Sequence, residues 1–215
     1  SERTDIGMIM RSAIDVLPAE SARAYRAFHQ DWDRRIAAEA ERLQALAPDL
    51  VLSNVAYLPL AASARIGVPA AALCSLNWAD MYRHYCGDAP EAARIHAEIV
   101  AAYRSASLFL QPAPHMPMAD LTNRYPIGPV ATLATRRIGL PALLRLPAGT
   151  RLVLVSPGGM SLPLAVARWP RVPDIHWIVP EESACERPDV TAFERLNLAF
   201  PEVLAASDAL VTKPG

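Results

Sequence analysis

Short runs of apolar residues, bounded by proline, glycine or polar residues, recur along this 215-residue chain and alternate with stretches of helical spacing. A continuous apolar run of this kind is typical of a strand that is buried on both faces of a parallel sheet. Parallel strands need a crossover connection, usually a helix, to return to the same edge of the sheet. The alternation therefore predicts an α/β fold built from right-handed βαβ units.

The predicted elements fall into two groups along the chain. Strands are expected at 48–54, 68–75, 107–111, 124–130, 150–156, 174–180 and 208–212. Helices are expected at 18–47, 56–67, 89–105, 162–169 and 191–207, the last with a proline interruption, and 132–146 should mix helix and loop. Because the alternation restarts after residue 130, we predict two Rossmann-like, doubly wound parallel-sheet domains, 1–130 and 131–215.

The composition argues against several classes of protein. Lysine and arginine total 21 against 22 acidic residues, and a net charge of -1 offers no basic surface for nucleic acid or an anionic membrane. No apolar run reaches the roughly 18 residues of a transmembrane segment. The three cysteines and five histidines match no metal-ligand spacing, so we predict no metal site. A reduced, cytoplasmic protein is the default for such cysteine usage.

The loop 156–161 lies between a predicted strand and a predicted helix of the second domain. Ligands of open parallel sheets bind beyond the carboxyl ends of the strands, where this loop begins. Its paired glycines, Gly158 and Gly159, permit positive φ and a close approach of the ligand to the main chain. Free N–H groups at the following helix start, near Ser161, can bind a phosphate. A Gly-Gly pair is equally often only a tight turn, and no Walker loop or full dinucleotide fingerprint is present.

The loop 212–215 occupies the same topological position one βαβ unit later. Thr212, Lys213 and Gly215 are therefore candidates for gripping the other end of the same ligand. Lys213 is the single lysine among 21 basic residues. A compact ammonium there suits a site that a broad guanidinium would not fit. Codon bias toward arginine, or a solvated lysine in a turn, explains the same observation.

A third candidate is the segment 74–88, predicted as a polar and aromatic loop after the second strand. Asn77, Trp78 and Asp80 could stack a sugar on an aromatic face and hydrogen-bond its hydroxyls. The alternative is that Trp78 and the neighbouring tyrosines only pack the loop down. Nucleophilic catalysis is not indicated, because Ser156 lacks the Gly-x-Ser-x-Gly context.

Four stretches of the sequence resemble a known family. They are 47–78 (APDLVLSNVAYLPLAASARIGVPAAALCSLNW), 105–131 (SASLFLQPAPHMPMADLTNRYPIGPVA), 151–159 (RLVLVSPGG) and 200–215 (FPEVLAASDALVTKPG). In order and spacing they are similar to the two-domain nucleotide-sugar glycosyltransferases of the GT-B type. The subgroup they resemble includes the GlcNAc transferase of peptidoglycan synthesis and related bacterial proteins.

The resemblance implies transfer of a sugar from a nucleotide-diphosphate sugar, with UDP as the nucleotide, to an acceptor hydroxyl without a metal or other cofactor. The first domain would then be the acceptor side, with Asn77, Trp78 and Asp80 facing the cleft. The second domain would bind the donor. The implied donor-binding residues are Gly158, Gly159, Ser161, Thr212, Lys213 and Gly215.

Proteins of this family begin with a strand and a glycine-rich loop that often supplies the general base. They also continue beyond the lysine-proline-glycine into an acidic donor-binding helix. This chain carries neither feature, so we expect both domains to be incomplete, with the base in the missing N-terminal loop. Two alternatives stay open: a non-catalytic module that binds nucleotides or sugars, and a nucleotide-sugar 2-epimerase of the same fold.

Overall fold

A computed structural model of the chain describes residues 4–134, 139–159 and 162–212. The chain divides into two compact units. The first unit comprises Ser1–Arg11 and Asp15–Val130, and the second comprises Ser12–Ile14 and Ala131–Gly215. Each unit contains a four-stranded sheet in which all neighbouring strands run parallel. The predicted α/β class with parallel sheets is therefore confirmed.

The elements of the first unit follow the expected alternation of strand and helix. They are β1 Met10–Ser12, β2 Asp15–Val16, α1 Pro18–His29, α2 Trp32–Leu46, β3 Val51–Ser53, α3 Leu58–Ile66, β4 Ala70–Leu73, α4 Trp78–Cys86, α5 Ala92–Arg104, β5 Leu108–Pro112 and β6 Arg124–Ile127. The strands β1 and β2 pair with each other, and the parallel sheet has the order β3-β4-β5-β6. Each new strand is thus added next to the preceding one, always in the same direction across the sheet. The helix predicted to close at Gly67 does so, with φ of 71° at that glycine.

The core of the first unit contains five fully buried aromatic side chains. They come from α1, the residue before α3, α4, α5 and β5, and are Tyr25, Tyr57, Tyr82, Tyr103 and Phe109. Because these rings derive from separate elements, their burial joins the helices to the sheet.

The single helix predicted over 18–47 is wrong, since the chain forms two helices separated by Gln30 and Asp31. Rings from both helices pack against Tyr57. Phe28 at the end of α1 and Trp32 at the start of α2 lie with ring centroids 6.0 and 5.6 Å from that of Tyr57. Phe28 and Trp32 are four residues apart and would also share a face of a straight helix, so the helical pattern continues across the break and does not reveal it.

His29 is buried at the end of α1 between two polar partners. Its Nδ1 lies 2.7 Å from Glu98 Oε2 and its Nε2 lies 3.0 Å from the Tyr57 hydroxyl. Since the carboxylate can only accept, Nδ1 donates to it, and a neutral imidazole then accepts from Tyr57 through Nε2. Desolvation lowers the pKa of His29 below its ordinary value, although Glu98 opposes this effect.

We expect the first unit to lose stability as the pH falls below the ordinary histidine pKa of 6.5. There the unfolded chain binds a proton that folded His29, with its lowered pKa, does not. The free energy of unfolding should fall by up to about 1.4 kcal/mol per pH unit. Urea unfolding between about pH 5 and pH 8 measures this dependence. His29→Gln should weaken this dependence, part of which stays because burial also lowers the pKa of His96. The exposed control His84→Gln should not weaken it, and a profile unchanged in His29→Gln would contradict this role.

The second unit is built around a shorter set of elements. It contains α6 Leu140–Leu143, β7 Arg151–Val155, β8 Ile175–Val179, β9 Val190–Ala192, α7 Phe200–Ala206 and β10 Ala209–Val211. Single 3-10 turns occupy Val166–Arg168, Glu181–Ser183 and Phe193–Leu196. The sheet order is β10-β7-β8-β9. Its core is aliphatic and includes Leu152, Leu154, Ile178 and Val203.

Two helix predictions in the second unit are wrong. Only a 3-10 turn forms within 162–169, and Arg187 Nη1 donates to the carbonyls of Val166 and Trp169 at its end, each at 2.8 Å. The stretch 191–207 contains the end of β9, a 3-10 turn and α7. Pro201 lies in the first turn of α7, where a missing N–H costs nothing, so it starts this helix and does not interrupt one.

Two strands predicted to be fully buried carry exposed apolar side chains. Leu52 of β3 is 60% exposed, and Leu210 and Val211 of β10 are 44% and 49% exposed. Both strands lie at the edges of the sheets formed by the described residues. An apolar run therefore identified the strands correctly but not their position in the sheet.

Candidate functional site

The strand order of the second unit contains a reversal. The strands β7 and β10 are parallel neighbours, with Val155 opposite Val211, although β8 and β9 lie between them in sequence. The chain thus winds in one direction from β7 to β9 and returns to the other side of β7 with β10. Such a reversal is the topological switch point at which open α/β sheets bind ligands.

Hydrogen bonds hold β7 and β10 in register at both ends of the pair. Asp208 donates its backbone N–H to the Leu152 carbonyl, and its carboxylate accepts from the Leu152 N–H, each at 2.8 Å. At the other end, the Ser156 N–H donates to the Val211 carbonyl at 2.9 Å. The loops that follow β7 and β10 therefore start side by side.

In the glycine pair after β7, Gly158 has the positive φ that the sequence permits, and Gly159 lies in open space. Gly158 has φ of 102°, a conformation that L residues rarely adopt. Gly159 is exposed, and a Cβ added to it would meet nothing within 4 Å. Pro157 before them is buried and anchors the turn to the unit. At Gly159 the main chain is therefore not covered by a side chain of the described residues.

The other predicted donor residues are only partly within the described ranges. Thr212 is exposed at the end of β10. Ser161, Lys213 and Gly215 lie outside the described residues. Their roles in donor binding stay predictions from the sequence.

The acidic pair after β8, Glu181 and Glu182, makes hydrogen bonds within the protein. The Leu162 N–H donates to Glu182 Oε1 at 2.8 Å. Arg195 hydrogen-bonds to Glu181 and lowers the pKa of that carboxyl below its ordinary value. The backbone N–H of Glu181 also donates to Glu194 Oε2 at 2.8 Å, and this bond restrains the backbone of Glu181. These contacts do not arrange Glu181 and Glu182 as a general acid and base.

In the first unit, the predicted loop 74–88 is wrong, because most of it forms the helix α4. Asn77 is the N-cap residue: its Oδ1 accepts from the Asp80 N–H at 2.8 Å and its Nδ2 donates to Asp80 Oδ2 at 3.1 Å. Asparagine followed three residues later by an acidic residue is a recognisable helix start. The buried residues Ala79, Tyr82 and Cys86 then recur at helical spacing.

Trp78 is held by contacts on two sides. Its Nε1–H donates to Asp5 Oδ2 at 2.9 Å, and its backbone N–H donates to the Tyr103 hydroxyl at 3.2 Å. A Cβ on Gly7 would lie 3.1 Å from the indole ring, so that glycine permits the ring to approach the main chain. The Tyr103 hydroxyl donates in turn to the Val55 carbonyl at 2.6 Å. This bridge joins the segments that leave the carboxyl ends of β3 and β4.

The three predicted acceptor-side residues therefore lie together but are engaged within the protein. Asn77 is 1% exposed and its amide is used by the cap. Asp80 accepts from Arg83 Nη2 at 3.0 Å in addition to its bonds with Asn77. The Trp78 indole N–H is taken by Asp5, a residue that no sequence motif had singled out. A role in acceptor binding for these residues stays a prediction.

The chain is similar in structure to two glycosyltransferases. The glycosyltransferase SnogD from Streptomyces nogalater matches with a TM-score of 0.45 and 16% identity over 86% of this chain and 56% of that chain. The spinosyn rhamnosyltransferase SpnG matches with a TM-score of 0.44 and 15% identity over 98% of this chain and 62% of that chain. This chain thus spans less than two thirds of the length of either protein. No protein-family model and no curated protein matches the sequence.

Across the ranges 4–134, 139–159 and 162–212, no helix combines the length and apolar character needed to cross a membrane.

Proposed function

We propose that this chain forms part of a glycosyltransferase that moves a sugar from a UDP-sugar to an acceptor hydroxyl. The nucleotide diphosphate would bind at the switch point of the second unit, between the loops that follow β7 and β10. The acceptor would bind on the first unit.

The observation that supports this proposal best is the strand order β10-β7-β8-β9. It brings the origins of the two predicted donor loops to neighbouring strand ends, where the Ser156 N–H and the Val211 carbonyl are 2.9 Å apart. The positive φ of Gly158 and the open space at Gly159 favour an anion beside the main chain. The sequence resemblance to GT-B glycosyltransferases independently favours the same loops.

In the proposed reaction, a base takes the proton of the acceptor hydroxyl. The hydroxyl oxygen attacks the anomeric carbon, and the bond to the nucleoside diphosphate breaks. Negative charge develops on the leaving diphosphate, which main-chain N–H groups and a cation can stabilise without a metal. In this chain the main chain at Gly158 and Gly159 and the ammonium of Lys213 would provide that stabilisation.

A matched pair of glycine variants tests the donor site. Gly158→Ala should weaken UDP binding and lower the free energy of unfolding by about 1–2 kcal/mol, because alanine at φ of 102° is strained. Gly159→Ala should leave the fold intact, since its Cβ meets nothing within 4 Å. Calorimetric titration of each folded variant with UDP measures the affinities. Equal UDP affinity in the wild type and Gly158→Ala would count against this loop as the donor site.

An activity assay on the wild-type protein distinguishes the alternative functions. Incubation with UDP-N-acetylglucosamine and candidate acceptors should yield a glycosylated acceptor and free UDP. An epimerised UDP-sugar would indicate the 2-epimerase instead. UDP binding without any turnover would favour the non-catalytic module.

A further inference from the structure

Asp80, His96 and Asp120 meet in the first unit, although they belong to α4, α5 and the segment between β5 and β6. One potential ligand atom from each lies within 4.8 Å of the other two. His96 Nε2 lies 3.6 Å from Asp120 Oδ2. Two ligands of a tetrahedral zinc ion are separated by about 3.4 Å when their bonds to the ion are about 2.1 Å long. The spacing of this pair is therefore compatible with a shared metal ion.

The imidazole of His96 has an unused nitrogen at this place. Its Nε2 is buried and has no hydrogen-bond partner among the described residues. Buried polar atoms are nearly always paired, and an orphan atom indicates strain, a function, or a water or ion. Nε2 is also the atom that faces the carboxylate of Asp120, at a distance too long for a hydrogen bond.

A positive charge already lies between the two carboxylates. The guanidinium of Arg83 donates to Asp80 Oδ1 at 3.0 Å and, through its other terminal nitrogen, to Asp120 Oδ2. The Arg83 side chain is 51% exposed, so it can turn into solvent without repacking the core. The Arg83–Asp120 pair is the more exposed of the two, with Asp120 36% exposed and Asp80 12%. Exposed ion pairs are weak, so a multivalent cation can compete with the guanidinium.

An open cavity gives access to the cluster. His96, Asp120 and Arg104 line a cavity of about 630 Å³ whose remaining lining is formed by Ala97, Val100, Ala101 and Ser105. A metal ion could enter through it. Water or an anionic ligand could complete the coordination from the cavity side, as in metal sites that keep an open position.

We propose that Asp80, His96 and Asp120 bind a divalent transition-metal ion, which displaces Arg83 from between the two carboxylates. One imidazole and two carboxylates are ligands that suit Zn²⁺ and its first-row neighbours. No sequence spacing predicts this site, because its three members come from separate elements. The proposal does not depend on the proposed glycosyltransferase activity.

Calorimetric titration of the purified protein with Zn²⁺ tests this site. The wild type should bind one ion in the cluster, and His96→Ala should lower the affinity by about tenfold or more. Asp120→Asn, as a second variant, should do the same. Arg83→Gln should bind more tightly, since it removes the competing cation. The exposed histidine of α4 supplies the control, His84→Ala, which should match the wild type.

Two further measurements check that the variants are folded and that the free cysteines are not the metal ligands. These cysteines are Cys74, Cys86 and Cys185. Zn²⁺ should raise the Tm of the wild type and leave that of folded His96→Ala unchanged. Co²⁺ should give an absorption spectrum without a sulfur-to-cobalt band. Equal affinity in the wild type and His96→Ala, no binding by the wild type, or thiolate ligation of Co²⁺ would each overturn the proposal.

Discussion

Replacing Tyr103 should destabilise the first unit in two separable steps. Tyr103→Phe should lower the free energy of unfolding by about 1–3 kcal/mol, because it removes a buried hydroxyl that bridges the Trp78 N–H and the Val55 carbonyl. Tyr103→Ala should lower it by about 3–5 kcal/mol, since the fully buried ring is then lost as well. The difference between the two variants isolates the contribution of the ring.

The hydroxyl matters because Val55 has an unfavourable backbone. Its φ is 61°, which is a rare conformation for a β-branched residue and costs about 1–3 kcal/mol. Such a residue persists only where its surroundings hold it, and the 2.6 Å bond from Tyr103 does so. Without that bond, the segment after β3 should relax.

Urea unfolding, with hydrogen exchange of the α5 amides as the local probe, measures both variants in the first unit alone. Tyr125→Phe is the matched control, because Tyr125 is 58% exposed on β6. That change should stay within about 0.5 kcal/mol of the wild type. A Tyr103→Phe variant as stable as this control would mean that the bridge does not hold the segment after β3.

The strands of the two parallel sheets could largely be predicted from the sequence because their signals are local. The runs around β4, β5, β7 and β8 are apolar, short and bounded by turn residues, and each forms a strand in the expected place. Helix ends were harder to predict. The break between α1 and α2 lies within a pattern that stays helical, because Phe28 and Trp32 are four residues apart and both contact Tyr57, so periodicity does not reveal it.

The candidate sites show the same difference between local signals, which the sequence carries, and contacts between distant segments, which it does not. The positive φ of Gly158 could be predicted because a glycine pair after a strand carries its own backbone signature. The helix α4 was missed because its polar and aromatic residues obscured the cap at Asn77 and the buried positions Ala79, Tyr82 and Cys86. Contacts between distant segments, such as Asp5 with Trp78, have no sequence spacing at all. They follow from how the helices pack on the sheet.

The largest effect on ligand binding is expected at Lys213. Lys213→Ala should weaken binding of UDP by about 1–3 kcal/mol, roughly a 5- to 150-fold rise in Kd, if its ammonium contacts the diphosphate. Lys213 lies outside the described residues, and its predicted place follows from its position one residue after Thr212, beyond the carboxyl end of β10. Calorimetric titration with UDP measures the change.

Two further variants separate the explanations for a single lysine. If the site needs a compact ammonium, Lys213→Arg should also lose affinity for UDP, whereas codon bias alone predicts that arginine serves as well. Arg151→Ala is the matched control, because this exposed residue starts β7 at the end of the strand opposite the predicted donor loops. Unchanged affinity in Lys213→Ala would remove the lysine from the donor site. Loss in both Lys213 variants, with Arg151→Ala unaffected, would place the charge requirement at the carboxyl end of β10 and fit a narrow diphosphate site.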